Sequence, residues 1–150
     1  MLAVGSKVPA FTLPDSYGKM HSLADYKGKY VVLYFYPRDD TPGCTKEACD
    51  FRDALVDFSK KNAVIIGVSA DTSASHVAFT KKFGLPFVLL ADTEKKTIQG
   101  YKAWGERSMY GRKFMGILRT TYVISPEGKI VQAFGNVKVP DHVKTVLASL

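Results

Sequence analysis

Tyr34-Phe35-Tyr36-Pro37-Arg38-Asp39-Asp40-Thr41-Pro42-Gly43-Cys44-Thr45-Lys46-Glu47-Ala48-Cys49 holds both cysteines of this 150-residue chain. It runs from the end of a hydrophobic strand, through a short turn, into a helix. Thr41 reads as the N-cap, its hydroxyl placed to accept a hydrogen bond from a free amide of the first turn. Pro42 follows at the first helical position, where a missing N–H is no loss. Cys44 therefore lies in the first helical turn. The unpaired amides and the positive end of the helix dipole favour a thiolate there, and Arg38 lies near enough in sequence to add to that field. A cysteine so placed is a candidate nucleophile or redox group.

Cys49 lies five residues on. On an ideal helix it sits about 140° round from Cys44 and about 7.5 Å further along the axis, which puts the two Cα atoms roughly 8–9 Å apart. A disulfide needs roughly 4.4–6.8 Å. Either the sulfurs never pair, or the first turns unwind to let them. The apolar seam of the helix is Cys44, Ala48, Phe51, Leu55 and Phe58, spaced 4, 3, 4, 3, and predicts one helix from Pro42 to about Lys60. Cys44 then looks inward. Cys49 shares the other side with Arg52, Asp53 and Lys60 and looks toward solvent or a loop.

The fold follows from working outward. Tyr30–Tyr36 is apolar on both faces and rich in β-formers, so it is a central strand covered on both sides. Upstream, Phe11–Leu13 and Lys19–Leu23 read as short strands around an Asp15–Gly18 turn, an N-terminal β-hairpin. Downstream, Ala63–Ser69 is a second buried strand. Asp71–Ser75 opens a helix closed by Gly84. Phe87–Ala91 is a third strand and Asp92–Gly100 a short helix. Tyr101–Gly116 reads as irregular, and its part from Trp104 to Gly116 either covers the site or is a plain surface loop. Thr120–Ile124 and Lys129–Phe134 form a late hairpin, and Pro140 starts a last helix. The alternation predicts an α/β protein with a central mixed β-sheet flanked by helices, parallel first and antiparallel last. The strand, redox turn, helix and late hairpin together point to a thioredoxin-like fold, with residues 1–150 forming one domain.

Composition narrows the function classes. The chain is 46% hydrophobic and 23% charged, an ordinary globular balance. No apolar run approaches the ~18–20 residues that span a membrane, and the first residues lack the features of a signal peptide. A cytoplasmic protein is expected, and two cysteines in a reducing compartment point to catalysis or sensing. The net charge of +7 raises nucleic acid as a partner. The basic residues are scattered, mostly at expected helix ends, with no basic helix or interleaved aromatic stripe, so nucleic acid is not expected. His21, His76 and His142 are far apart, share no metal-ligand spacing and read as ordinary residues. Tyr36, Phe79, Trp104 and Tyr110 read as packing groups.

Phe35-Tyr36-Pro37, Thr41-Pro42-Gly43-Cys44-Thr45 and Glu47-Ala48-Cys49-Asp50-Phe51-Arg52 closely resemble the active-site segment of the peroxiredoxins. The Cys49 spacing resembles the peroxiredoxin Q subgroup, also called bacterioferritin comigratory protein. Gly5-Ser6-Lys7-Val8-Pro9, Tyr110-Gly111-Arg112 and Arg119-Thr120-Thr121-Tyr122 extend the likeness along nearly the whole chain. The resemblance implies a thiol peroxidase acting on hydrogen peroxide and organic hydroperoxides. Cys44 would be the peroxidatic thiolate, passing through a sulfenic acid. Thr41 would hydrogen-bond the peroxide, and Arg119 would stabilise the thiolate and the breaking O–O bond. Pro37 would wall off water. Cys49 would resolve the sulfenic acid as an intramolecular disulfide, and thioredoxin or a similar dithiol would reduce it. The resemblance implies no metal, haem or flavin, and a monomer is expected. Two other readings use the same residues: a redox sensor that passes oxidation to a partner protein, and a non-catalytic binding module on the same fold.

Overall fold

The computed structural model describes Met1–Leu150. In chain order the elements are β1 (Thr12–Pro14), β2 (Met20–Ser22), a 3-10 turn at Leu23–Tyr26 and β3 (Tyr30–Phe35). Then come α1 (Pro42–Asp53), α2 (Leu55–Lys60), β4 (Ala63–Ser69), α3 (Ser73–Phe83), β5 (Val88–Ala91) and α4 (Lys96–Gly100). The last five are β6 (Trp104–Met109), β7 (Arg112–Ile117), β8 (Thr120–Ile124), β9 (Ile130–Phe134) and α5 (His142–Ala148).

β3 is the middle of a five-stranded sheet ordered β5-β4-β3-β8-β9. It pairs parallel to β4 and antiparallel to β8, with Tyr34 opposite both Gly67 and Thr121. β5 extends the parallel half and β9 the antiparallel half, as the order of strands and helices predicts. Alternate β3 side chains serve two cores, because successive residues of a strand point to opposite faces. Val32, Tyr34 and Tyr36 pack with Cys44, Ala48, Phe51 and Phe58 beneath α1 and α2, joined by Phe79 of α3 and Val146 of α5. Val31, Leu33 and Phe35 pack on the other face with Ile98, Tyr101 and Tyr122. That two-sided covering is why β3 reads as an unbroken apolar run.

The N-terminal hairpin is present, β1 against β2, and its turn is tied by Asp15, whose Oδ1 accepts from the amides of Tyr17 (2.8 Å) and Lys19 (3.0 Å). α3 is capped as expected. Thr72 Oγ1 accepts from Ser75 N, and Gly84 takes the left-handed conformation at the other end.

Three expectations fail locally. The helix from Pro42 does not run unbroken to Lys60: Ala54 leaves the helical region (φ −98°, ψ 3°) and divides α1 from α2. No glycine or proline marks the break. It arises where α1 turns to pack on α5 while α2 packs on β4. The stretch after Tyr101 is not irregular; β6 and β7 form an antiparallel hairpin. Its glycines are structural: Tyr110 and Gly111 both take positive φ (52° and 77°) at the two-residue turn. A Cβ on Gly105 would lie 2.9 Å from Leu118 Cδ1. The last helix begins at His142, not Pro140, after Asp141 in a left-handed conformation.

Phe51 is fully buried and stacks on Tyr34 (centroids 4.7 Å apart). Phe51→Ala is expected to lower the unfolding free energy by about 3–5 kcal/mol. Exposed Val56→Ala should change it by less than about 0.5 kcal/mol. Urea denaturation of both variants checks this.

Candidate active site

Cys44 is the third residue of α1 and is 1% exposed. The first intrahelical bond is made by Thr45 N to Thr41 O (2.8 Å), which leaves the amides of Gly43 and Cys44 without a backbone acceptor. These donors lie at the foot of a cleft of about 550 Å3 whose lining includes Pro37, Thr41, Cys44 and Arg119. The far wall is the β6–β7 hairpin, which contributes Trp104, Met109, Phe114 and Ile117. Of the two readings of that stretch, it is the one that covers the site.

Arg119 precedes β8, and the pairing of β8 with β3 brings it over the start of α1. Its Nη2 donates to Cys44 Sγ at 3.4 Å, and its Nη1 donates to Glu47 Oε1 at 2.7 Å. Gly43 makes room: a Cβ there would lie 3.2 Å from Arg119 Nη2. Burial works against the guanidinium's charge, but Glu47 and Cys44 outweigh it and push the Arg119 pKa up. Arg119 therefore stays a cation at any pH in which the fold survives.

Glu47 has no assigned role in the sequence reading. It is completely buried, one turn on from Cys44 on the same inward stripe. Burial raises its pKa from about 4.5 to about 7, with Arg119 pulling the other way, and Oε2 is buried without a hydrogen-bond partner. The signal was available: a helix seam that counts Cys44, Ala48 and Phe51 as inward also turns position 47 inward. Behind it, His142 bonds Thr121 Oγ1 through Nε2 (2.9 Å). Burial, then the charge of Arg119, lowers the His142 pKa to about 4, so its ring is neutral at pH 7.

Thr41 departs from its expected role. It has the extended backbone of an N-cap, but its hydroxyl accepts from no first-turn amide. It donates instead to Arg38 O at 3.0 Å. The hydroxyl proton is thereby directed back into the loop, and the oxygen's lone pairs are left for a donor arriving from the cleft. Cys49 is half-buried and Cys44 fully buried, and both thiols are free, on an α1 that stays helical to Asp53. Tyr36 and Phe79 are core residues, Trp104 is half-buried, and Tyr110 is 97% exposed and packs on nothing. His21 and His142 fill structural roles, while His76 meets Asp39 and Asp71 in a buried cluster that their sequence spacing does not announce.

Residues 4–133 match the family model described as AhpC/TSA family. Peroxiredoxin Bcp of Bacillus subtilis is 46% identical over 149 residues, covering 99% of this chain and 95% of that protein. A putative peroxiredoxin bcp of Coxiella burnetii is 47% identical over 149 residues, 99% of each. Among solved structures, the bacterioferritin comigratory protein of Xanthomonas campestris, studied for its alkyl peroxide reduction, superposes with a TM-score of 0.88 at 41% identity. That match covers 93% of this chain and 88% of the other. A cysteine-to-serine variant of PrxQ from Xylella fastidiosa gives 0.93 at 35% identity, covering 99% and 94%.

The two shifted groups oppose each other in their effect on stability. Glu47 binds its proton more tightly when folded, so its contribution is complete below about pH 4.5 and is lost as pH rises towards 7. His142 contributes above pH 6.5 and loses that contribution as pH falls towards 4. Glu47→Gln should therefore make stability rise more steeply between pH 4.5 and 7 than in the wild type, and His142→Asn should make it fall more steeply. Urea midpoints across that range read both slopes. A constant offset between wild type and Glu47→Gln would remove the assignment.

Proposed function

The chain belongs to the AhpC/TSA family, in its bacterioferritin comigratory protein (peroxiredoxin Q) branch, and from that footing we propose which residues carry its chemistry. The protein is a peroxiredoxin, a peroxidase that reduces hydroperoxides with electrons from a thiol reductant. In the proposed cycle the Cys44 thiolate attacks the terminal oxygen of the hydroperoxide. The O–O bond breaks, the alkoxide or hydroxide leaves and takes up a proton, and Cys44 becomes a sulfenic acid.

Thr41 receives the peroxide O–H on its free lone pairs. Arg119 and the amides of Gly43 and Cys44 stabilise charge on the attacking sulfur and the departing oxygen. Pro37 shields the sulfur from bulk water, and Trp104, Met109 and Phe114 give the cleft an apolar wall that suits organic hydroperoxides. The observation that carries this reading is the Arg119 contact to Cys44 Sγ, made across 75 residues of sequence at the foot of an open cleft.

Cys49 is proposed as the resolving cysteine. Its thiol attacks the sulfenic sulfur, a disulfide forms and water leaves; α1 must unwind for this, because the two positions are too far apart on an intact helix. Reduction of the disulfide by thioredoxin or a similar dithiol closes the cycle, with no metal or organic cofactor. No helix of the chain is long and apolar enough to cross a membrane. Two free thiols that must be recycled favour a reducing compartment, the cytoplasm, and a monomer of one domain suffices, since both cysteines belong to one helix.

One equivalent of hydrogen peroxide added to reduced protein should remove both thiols and about 2 Da of mass without dimer formation. Cys44→Ser should abolish the reaction. Cys49→Ser should give one fast oxidation, seen as a gain of about 16 or 32 Da, and then stall. Arg119→Ala should slow the first step by roughly 100- to 1,000-fold. Equal turnover with reductant in Cys49→Ser would exclude its resolving role.

A further inference from the structure

The loop between β3 and α1 is held by a largely buried cluster that the chemistry above does not use. Asp39 is 8% exposed and His76, on α3, is 0% exposed. Three donors converge on the Asp39 carboxylate. Tyr36 OH donates to Oδ1 (2.6 Å), while Ser75 Oγ (2.8 Å) and His76 Nδ1 (2.7 Å) donate to Oδ2. The other ring nitrogen, Nε2, faces the carbonyl of Leu90 on β5 at 3.0 Å. Both ring nitrogens thus face acceptors. Asp71 completes the group: its Oδ2 accepts from the Asp39 amide (2.8 Å) and from Ser69 Oγ (2.7 Å).

Asp39, Asp71 and His76 bring their ligand atoms within 4.8 Å of one another, close enough to suggest a metal site. The hydrogen bonds argue otherwise. Both Asp39 oxygens and Asp71 Oδ2 are already taken by named donors, and a cation would have to displace them. The cluster is a protein-to-protein anchor. What it anchors is the loop that carries Pro37, Arg38 and Thr41. Asp40, the next residue, takes φ 56°, in the left-handed region that Asp tolerates better than most residues. One residue before Asp39 is the carbonyl of Arg38, which fixes the Thr41 hydroxyl at 3.0 Å.

We propose that His76 is a positioning residue for peroxide reduction: through Asp39 it fixes the Arg38 carbonyl, and so holds the Thr41 hydroxyl with its lone pairs turned to the cleft. The chain of contacts runs from β5 through His76 and Asp39 to the loop, and ends on a group that touches substrate. Loss of the His76–Asp39 bond lets the loop shift, and misplacement of a positioning group by about 1 Å slows a reaction by as much as roughly 100-fold. Cys44 and Arg119 are held by α1 and β8, so their mutual contact is independent of this anchor.

The proposal rests on the peroxidase reading, and two isosteric variants test it separately from that reading. His76→Asn keeps a donor where Nδ1 stands, facing Asp39. His76→Gln keeps a donor where Nε2 stands, facing Leu90, and loses Asp39. The readout is the rate of Cys44 oxidation by hydrogen peroxide, followed by the fluorescence of Trp104, the one tryptophan, which lines the cleft. His76→Gln should slow oxidation roughly 10- to 100-fold, and His76→Asn should stay within about 3-fold of wild type. In a Thr41→Val background the His76→Gln effect should vanish, because the group it positions is gone.

Equal slowing by Asn and Gln, or full slowing on top of Thr41→Val, would overturn the proposal in favour of general destabilisation. If His76→Gln fails to fold, Ser75→Ala takes its place. It removes another donor to the same Asp39 oxygen and should slow oxidation only when Thr41 is present; an unchanged rate would overturn the proposal. Failure of wild-type Cys44 to react with peroxide at all would instead sink the peroxidase reading itself.

Discussion

One guanidinium holds the site together. Arg119 lies half-buried between a carboxylate and a sulfur, bonded to Glu47 at 2.7 Å and to Cys44 at 3.4 Å. Glu47 is the fully buried partner, and removing Arg119 would leave its charge uncompensated. Arg119 keeps Glu47 from being simply neutral. The pair also ties β8 to α1, two elements that do not otherwise share a hydrogen-bonded edge. Gly43 is the steric condition for it, since any side chain there presses on Nη2. A pKa near 7 for Glu47 means that its charge is only partly present at neutral pH. Arg119 is then free to serve whatever negative charge appears on the sulfur or on a departing oxygen.

In the proposed cycle the same helix must hold Cys44 rigidly and later release it. The forces on α1 are unevenly distributed. Its first half is held by Arg119 and by the burial of Cys44 and Ala48; its outer side carries only a solvated Lys46–Asp50 pair. From Phe51 onward the grip is stronger. Phe51 stacks on Tyr34 and meets Phe58 at a tilt, and Arg52 Nη1 donates to Phe83 O at the end of α3 at 2.6 Å. Stability that varies along an element defines which part opens first. Unwinding confined to Pro42–Asp50 would free both cysteines and leave the core under α2 untouched. The break at Ala54 isolates that segment further.

The large features of the fold were legible because each left a periodic trace. A doubly apolar Tyr30–Tyr36 read as a central strand, and the seam of Cys44, Ala48 and Phe51 read as an inward helix face. What the sequence hid has physical reasons. The β6–β7 hairpin packs little of its own core, so its strands alternate weakly and its glycines imitate a loop; they serve a turn and a close approach instead. Ala54 ends a helix without any local breaker, because the packing of two helices on different partners decides it. Thr41 looked like an N-cap from residue type alone, yet a hydroxyl can donate as well as accept, and the Arg38 carbonyl lies closer to hand. Glu47 lies in the same segment as both cysteines, but residue type alone does not mark it as a core group, because a glutamate is seldom buried without a partner. That partner was 72 residues away.

The net charge of +7 also takes on a different meaning in three dimensions. In sequence the cations look scattered, but folding gathers Arg38, Lys95, Arg107 and Arg119 around one cleft, whose lining includes no carboxylate. Two of them are steadied by aromatic faces rather than by acids: Lys95 lies over Trp104 (5.3 Å) and Arg107 over Phe114 (5.8 Å). A cation held by a ring keeps its full field, whereas one paired with a carboxylate has it largely cancelled. The proposed reaction makes negative charge on an oxygen in this cleft and consumes it on a sulfur. Aromatic side chains thus do two jobs at once: they give an organic peroxide an apolar wall, and they hold the cations that make the same space hospitable to an anion.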